Sequence, residues 1–206
     1  MGAILAERTG MEQVEQQQGT SAERRSGQRH SAVLLLGKVC GDVPGVCLVH
    51  NISANGLMAR FVDVPRVGDS LSVEVRGLGP VHGTVRWVKG QKAGVQFDSP
   101  QPYQSIFSTE NEDGTIPRPP RFPVTLSADV RLGDRKFTAA MIDVSAGGAK
   151  LEAAGAVQPG LAGHIVVRPL GTAISGTICW VKDGRFGFRF VSPLPIDTLA
   201  ALVGLR

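Results

Sequence analysis

The sequence NISANG at residues 51–56 is a short polar stretch between two apolar segments, and DVSAGG at residues 143–148 repeats it. Each copy follows a strand-like run, VCLVH or TAAMI, and precedes another, LMARF or AKLEA, in which apolar residues alternate. Alternation of this kind predicts β-strands, so each polar stretch should form the corner between two strands. The glycine that ends each copy favours a turn with a positive φ.

The two corners belong to a longer internal repeat. The offset is 92 residues between Asn51 and Asp143, and 93 residues between Trp87 and Trp180. The order of landmarks is therefore kept while one residue is inserted in a loop. A repeat of this length predicts two domains of about 100 residues each. We interpret the two tryptophans as packing in the core or plugging one end of each domain.

The composition favours β-structure throughout. The chain has 26 glycines and 13 prolines among short apolar runs, which is typical of all-β folds with many turns. We expect a helical turn that plugs one end of the first barrel at residues 103–107, and apolar residues recur at helical spacing in residues 195–205. We therefore predict an all-β protein made of two tandem six-stranded antiparallel barrels with short flanking helices. The candidate strands are residues 32–40, 45–51, 56–62, 70–76, 81–89 and 93–98, then 122–131, 135–143, 148–153, 163–168, 173–182 and 186–191.

Composition also predicts the domain boundaries. Residues 1–22 are rich in glutamine and glutamate and poor in apolar residues, so we expect a disordered tail, with a short frayed helix as the alternative. The first barrel should occupy residues 23–108, and the acidic stretch 109–115 should be the linker. The second barrel should fill residues 116–206 and end in a helix that covers that same barrel, although its apolar stripe could instead serve a partner.

The charge of the chain favours anionic partners only weakly. Lysine and arginine outnumber acidic residues 22 to 18, which gives a net charge of +4. This excess is too small to argue for binding of duplex nucleic acid. We find no apolar run of about 20 residues that could span a membrane and no signal peptide, so we expect a cytoplasmic protein. Three cysteines do not form a disulfide framework and fit a reducing compartment.

A basic arm precedes the first strand. Arg24, Arg25 and Arg29 lie on a polar segment that contains Gly27. Arginine presents a planar fork of donors that fits guanine O6 and N7 and also phosphate oxygens. The simpler interpretation is a solvated tail, with a corner whose side chains bond their own backbone.

The arm and the first corner together form a more specific pattern. R-x-x-x-R at Arg25 and Arg29 is followed by a strand and then by N-x-S-x-x-G at Asn51, Ser53 and Gly56. A tryptophan-bearing strand and the sequence GVQF at residues 94–97 close the unit. The combination resembles the PilZ family over residues 23–108 and, more loosely, over 116–206.

The resemblance implies a function as well as a fold. PilZ domains are six-stranded bacterial barrels, and many bind the second messenger cyclic di-GMP. It implies that Arg25 and Arg29, helped by Arg24, contact guanine and phosphate from the arm. The other guanine would lie on Asn51, Ser53 and Gly56. No cofactor is implied beyond this ligand.

The second repeat departs from the pattern. Arg121 matches Arg29, but Pro117 stands where Arg25 does, and Arg118 is one place out of register. Prolines make this leading segment stiff and extended. We expect Asp143 to pair with Arg121 and to hold the segment to the barrel. The alternative is a second ligand site made of Arg118, Arg121, Asp143, Ser145 and Gly148.

Two functions are compatible with these features. In the first, cyclic di-GMP orders the arm and changes how the domains or a protein partner pack. In the second, the chain is a ligand-independent protein–protein interaction module. We do not predict an enzyme, because neither motif serine has a repeated histidine base. Nor do we predict a metal site, because Cys40, Cys47 and His50 lack a fourth ligand.

Overall fold

The strands of the protein form two closed barrels with the same topology. The computed structural model describes residues 30–41, 45–108, 110, 114, 116–155, 157–168 and 170–204. The first barrel consists of β1 (His30–Cys40), β2 (Gly45–Ser53), β3 (Gly56–Phe61), β4 (Ser70–Val75), β5 (Leu78–Lys89) and β6 (Lys92–Phe97). The second consists of β7 (Phe122–Leu132), β8 (Arg135–Ser145), β9 (Gly148–Glu152), β10 (Ala162–Val167), β11 (Ala173–Lys182) and β12 (Arg185–Phe190).

The strand order confirms the predicted architecture. Barrel one runs β1-β2-β3-β6-β5-β4, and antiparallel pairing of β1 with β4 closes it. Barrel two has the equivalent circular order, closed by β7 and β10. Each predicted strand is present, and its ends differ from the prediction by at most three residues. The predicted turn at residues 103–107 is a 3₁₀ helix, Tyr103–Phe107.

The inserted residue lies in the connection between β10 and β11. Val73 of β4 pairs with Val81 of β5, and the equivalent pair in barrel two is Ile165 with Ile174. The offset between the repeats is 92 for the first member of these pairs and 93 for the second. The repeat thus changes length in a surface loop, where insertions cost little.

Alternating side chains fill each barrel. Inward-facing residues such as Val49 and Val95 in barrel one, and Met141 and Phe188 in barrel two, are at most 3% exposed. Burying an aliphatic or aromatic side chain of this size contributes about 1.5–3 kcal/mol. Each barrel therefore has its own apolar core.

The C-terminal helix α1 (Ile196–Gly204) joins the two barrels. Leu199 and Leu202 are fully buried in the core cluster of barrel two, and Val46 from β2 of barrel one belongs to the same cluster. Arg60 of β3 also pairs with Asp197 at 3.5 Å. As predicted, the helix covers its own barrel, and it also packs on barrel one. The apolar stripe was identified correctly, but a stripe does not specify which surface it contacts.

Within the described residues, no helix is long and apolar enough to cross a membrane. The predicted tail at residues 1–22 lies outside the described residues, as does most of the predicted linker, 109–115.

Candidate ligand surface at the first corner

The β2–β3 corner presents two polar side chains on the outer surface of barrel one. Ile52 is 1% exposed and points into the core, so its neighbours Asn51 and Ser53 point outward. Ser53 pairs with Gly56 across the corner, and its hydroxyl donates to the Gly56 carbonyl at 3.2 Å. The interpretation of a side chain that bonds its own corner is thus confirmed for Ser53. The hydroxyl oxygen still has lone pairs that can accept from a ligand.

The motif glycines serve close packing and not a positive φ. Gly56 and Gly148 are not among the described residues with a positive φ, so that expectation was wrong. A Cβ on Gly56 would overlap the carbonyl oxygen of Val95, and one on Gly148 would lie 2.7 Å from that of Phe188. Each corner therefore needs glycine because the neighbouring strand comes close to it.

The first strand begins beside this corner. His30, the first residue of β1, pairs with Ile52, which lies between Asn51 and Ser53. Strand β1 therefore begins at the polar corner. The three arginines predicted to bind ligand, Arg24, Arg25 and Arg29, lie outside the described residues.

A row of outward-facing residues extends from the corner across barrel one. Asn51 pairs with Met58, Met58 with Gly94, and Gly94 with Trp87. A Cβ on Gly94 would overlap the Trp87 indole, so the glycine allows the ring to lie against the backbone of β6. The row joins a polar group, a thioether and an aromatic ring on one surface.

The prediction that the tryptophans pack in the core or plug a barrel end was wrong. Trp87 is 42% exposed and Trp180 is 37% exposed. Strict alternation from the buried Val85 would point Trp87 inward, but a bulge between them places one extra residue in β5. Barrel two has the same bulge, between Ile178 and Trp180. The signal in the sequence that could have identified the outward position of each tryptophan was the glycine on the neighbouring strand, Gly94 or Gly187.

In barrel two the equivalent corner is closed by charge pairs. Arg121, immediately before β7, donates to Asp143 at 2.5 Å, which confirms the predicted pairing. Lys150 approaches the other oxygen of Asp143 at 3.4 Å. The Ser145 hydroxyl donates to the Gly148 carbonyl at 3.2 Å, as its counterpart does in barrel one. Barrel two therefore satisfies the polar groups of its corner with its own side chains.

The segment leading into barrel two offers no second arginine at the corner. Pro117, in the position of Arg25, is buried, whereas Arg118 is exposed. The structure thus brings together Arg121, Asp143, Ser145 and Gly148. Arg121 is already paired with a carboxylate of the same barrel, that of Asp143. Arg118 forms no ion pair with a described residue.

The thiols differ in environment. Burial raises the pKa of the Cys47 thiol to about 12, whereas Cys179 is exposed at the bulge of β11. Among the described residues, no group of histidine, cysteine and acidic side chains could hold a metal ion.

Comparison with known proteins identifies the repeat unit. The PilZ domain profile matches residues 23–107 and again 117–205. No curated protein sequence matches the chain.

Several solved structures match the chain over most of its length. PlzA of Borreliella burgdorferi, determined in complex with c-di-GMP, is 12% identical, with a TM-score of 0.39 and coverage of 89% of this chain and 94% of PlzA. The Bacillus subtilis inhibitor of motility MotI (DgrA) is 14% identical, with a TM-score of 0.34 and coverage of 82% and 92%. Escherichia coli YcgR in complex with c-di-GMP is 13% identical, with a TM-score of 0.34 and coverage of 83% and 81%. Because the domain profile accounts for most of its length, this chain belongs to the PilZ family and carries two PilZ domains in tandem.

Proposed function

We propose that the protein is a receptor that binds cyclic di-GMP at barrel one. The observation that carries the proposal is the register of β1, which places His30 opposite Ile52, between Asn51 and Ser53. Arg29 is covalently bonded to His30, so its Cα lies about 3.8 Å from that of His30 across a trans peptide. Arg25 is four residues earlier on the same arm. The proposal is that Arg25 and Arg29 contact the corner from the segment that precedes His30.

Barrel two supports the proposal that an arginine just before the first strand can contact the corner. Arg121 occupies the position of Arg29 in the repeat, and it contacts Asp143, which occupies the position of Asn51. An arginine just before the first strand of a barrel is therefore long enough to touch the first corner residue. Asn51 carries no charge, so an arginine at that corner in barrel one keeps its charge for an anionic ligand.

The corner residues have separate roles in the proposal. The Asn51 amide both donates and accepts, and the Ser53 oxygen can accept from a guanine N–H because its proton already bonds Gly56. Gly56 acts indirectly, since it lets the corner lie against β6. Trp87 and Met58 continue the surface and offer a flat apolar area to a purine.

A second site on barrel two is not favoured. Its arginine is paired with Asp143, and a buried proline replaces the other arginine. An exposed ion pair is worth at most about 1 kcal/mol, so the missing arginine matters more than the pairing. We propose that barrel two acts as the scaffold to which barrel one transmits the signal.

Strand β2 provides the path for that signal. It carries Asn51 and Ser53 at one end and Val46, which packs in the cluster with helix α1, at the other. We propose that ordering of the arm shifts β2 and changes how barrel one packs on α1. A ligand can produce such a change only if it binds the two arrangements with different affinity.

Calorimetric titration with cyclic di-GMP tests the proposal. We expect the intact chain to bind with a Kd below roughly tens of micromolar, the range of a specific if weak site. The double change Arg25→Ala and Arg29→Ala should abolish the heat of binding. The change Arg118→Ala in barrel two is the matched control and should leave binding unchanged.

The outcome distinguishes the two functions. Cyclic di-AMP serves as a ligand control, because adenine lacks the O6 acceptor that arginine recognises. If the intact chain binds neither dinucleotide, the receptor function is wrong and the ligand-independent interaction module is left.

A further inference from the structure

A groove of about 440 Å³ lies on the outer face of barrel two, across strands β8, β7 and β10. We call it the basic groove. It begins next to the β7–β8 hairpin turn at Gly133 and Asp134, at the opposite end of β8 from the β8–β9 corner. Its lining residues are Asp129, Val130, Arg131, Lys136, Phe137, Thr138, His164 and Val166.

Three basic side chains form one row along the groove. Arg131 of β7 pairs directly with Lys136 on β8 and with His164 on β10. Residues directly opposite on neighbouring antiparallel strands have Cβ atoms about 4.5–5.5 Å apart. The Cβ atoms of the row therefore lie at intervals of about 5 Å across the face of the barrel.

The carboxylate of Asp129, which lines the groove, already has hydrogen-bond partners, whereas Arg131 and Lys136 have no ion-pair partner among the described residues. Asp129 accepts from Arg168 at 3.4 Å and from Thr138 at 3.1 Å, and these hydrogen bonds lower the pKa of Asp129. Arg131 and Lys136 are exposed and form no ion pair with another described residue. The groove thus keeps an uncompensated positive charge.

The internal repeat indicates what such a face can hold. In barrel one, Lys38 lies opposite Val46 on β2 and Glu74 on β4. The equivalent residue of the groove is Asp129, which lies opposite Thr138 on β8 and Val166 on β10. Val46 is covered by helix α1 in barrel one. The corresponding face of barrel two is open, and its residue at that position is the exposed Thr138.

The helix on barrel one also provides a precedent for the charge. Asp197 in the first turn of α1 pairs with Arg60 on the barrel wall. On any helix, side chains at positions i and i+4 are about 5–6 Å apart, which matches the spacing of the row in the basic groove. Half-buried Val166, which faces outward between the buried Ile165 and Val167 on β10, adds an apolar floor.

We propose that the basic groove is a docking site for an acidic amphipathic helix of a partner protein. Carboxylates at i and i+4 of that helix pair with Arg131 and Lys136, and an apolar side chain packs on Val166. Complementary charge steers the encounter and fixes the orientation, while the floor supplies apolar burial.

Backbone amide NMR of the full ¹⁵N-labelled chain tests the proposal. The probe is a synthetic amphipathic helix with glutamates at i and i+4 beside a leucine stripe, and the control peptide carries glutamine at those positions. We expect the glutamate peptide to shift the amide signals of residues 129–138 and 164–166, and the glutamine peptide to leave them in place.

Charge reversal supplies the second measurement. The double change Arg131→Glu and Lys136→Glu should weaken binding of the glutamate peptide by about tenfold or more. Lys89 and Lys92 form a matched exposed cross-strand pair on β5 and β6, and reversing both should change affinity by less than about twofold. Thermal unfolding verifies that both double variants are folded.

Three results would overturn the proposal. These are shifts confined to another surface, equal losses from the two double reversals, or binding of a single-stranded oligonucleotide in the groove without binding of the glutamate peptide. None of them bears on cyclic di-GMP binding at barrel one, which uses a different barrel and ligand.

Discussion

Gly56 keeps the first corner against the neighbouring strand. We predict that Gly56→Ala lowers the free energy of unfolding by about 1–3 kcal/mol, because the added methyl group meets the Val95 carbonyl. Gly79 in β5 is the control, since a Cβ there meets nothing within 4 Å. Urea unfolding of both variants measures the difference. Equal stability of the two would show that the strands are not in close contact at the corner.

Cys47 should be inert while the protein is folded. Burial raises the pKa of its thiol from 9.0 to about 12, so it is protonated at pH 8. We predict that a thiol reagent at pH 8 labels exposed Cys179 quickly and labels Cys47 only after unfolding, as mass spectrometry would detect. Rapid modification of Cys47 in the native protein would contradict its burial.

The same shift has a consequence for stability. The neutral thiol is favoured in the folded state, so the contribution of Cys47 is fully present below pH 9 and is lost as the pH rises toward about 12. Cys47→Ala should therefore reduce the dependence of stability on pH in that alkaline range, and stability measured between pH 8 and pH 11 would test this.

At the scale of single elements, the bulge of β5 decides what faces the ligand surface. The chain has two tryptophans, so Trp180→Phe leaves Trp87 as the sole indole reporter. We predict that cyclic di-GMP changes the fluorescence of the Trp180→Phe protein and leaves that of the Trp87→Phe protein unchanged. The opposite pattern would place the ligand on barrel two.

The strands could be predicted from the sequence, whereas their irregularities could not. Alternation and turn residues located all twelve strands, because half-buried strands are read from a period of two. A bulge shifts that period by one, and it turned Trp87 outward where strict alternation points it inward. The reason for the motif glycines was also hidden, since the contact of Gly56 with Val95 depends on a strand nearly forty residues later.

At the scale of the whole molecule, helix α1 makes barrel one and barrel two interdependent. Val46 faces away from the core of its own barrel yet is 1% exposed. We predict that Val46→Ala lowers the free energy of unfolding by about 2 kcal/mol, because it removes packing from the shared cluster. Val67→Ala at a 63% exposed position should cost less than about 0.5 kcal/mol. Similar costs in calorimetry would contradict docking of the helix on barrel one.

The candidate site could be predicted from the sequence only in part. The corner residues and the Arg121–Asp143 pair follow from local sequence and from the repeat. The contact of α1 with barrel one does not, because an apolar stripe fits any apolar surface of suitable shape. Predicting the row that joins Asn51 to Trp87 would have required the register of four strands, which no local pattern specifies.

The most direct measurement of the central claim is a crystal structure of the intact chain with cyclic di-GMP. We predict that the dinucleotide lies on barrel one and touches Asn51 and Ser53. The guanidinium groups of Arg25 and Arg29 should lie within hydrogen-bond distance, roughly 3 Å, of its guanine or phosphate atoms. A dinucleotide bound away from this corner, or one that neither arginine contacts, would contradict the claim.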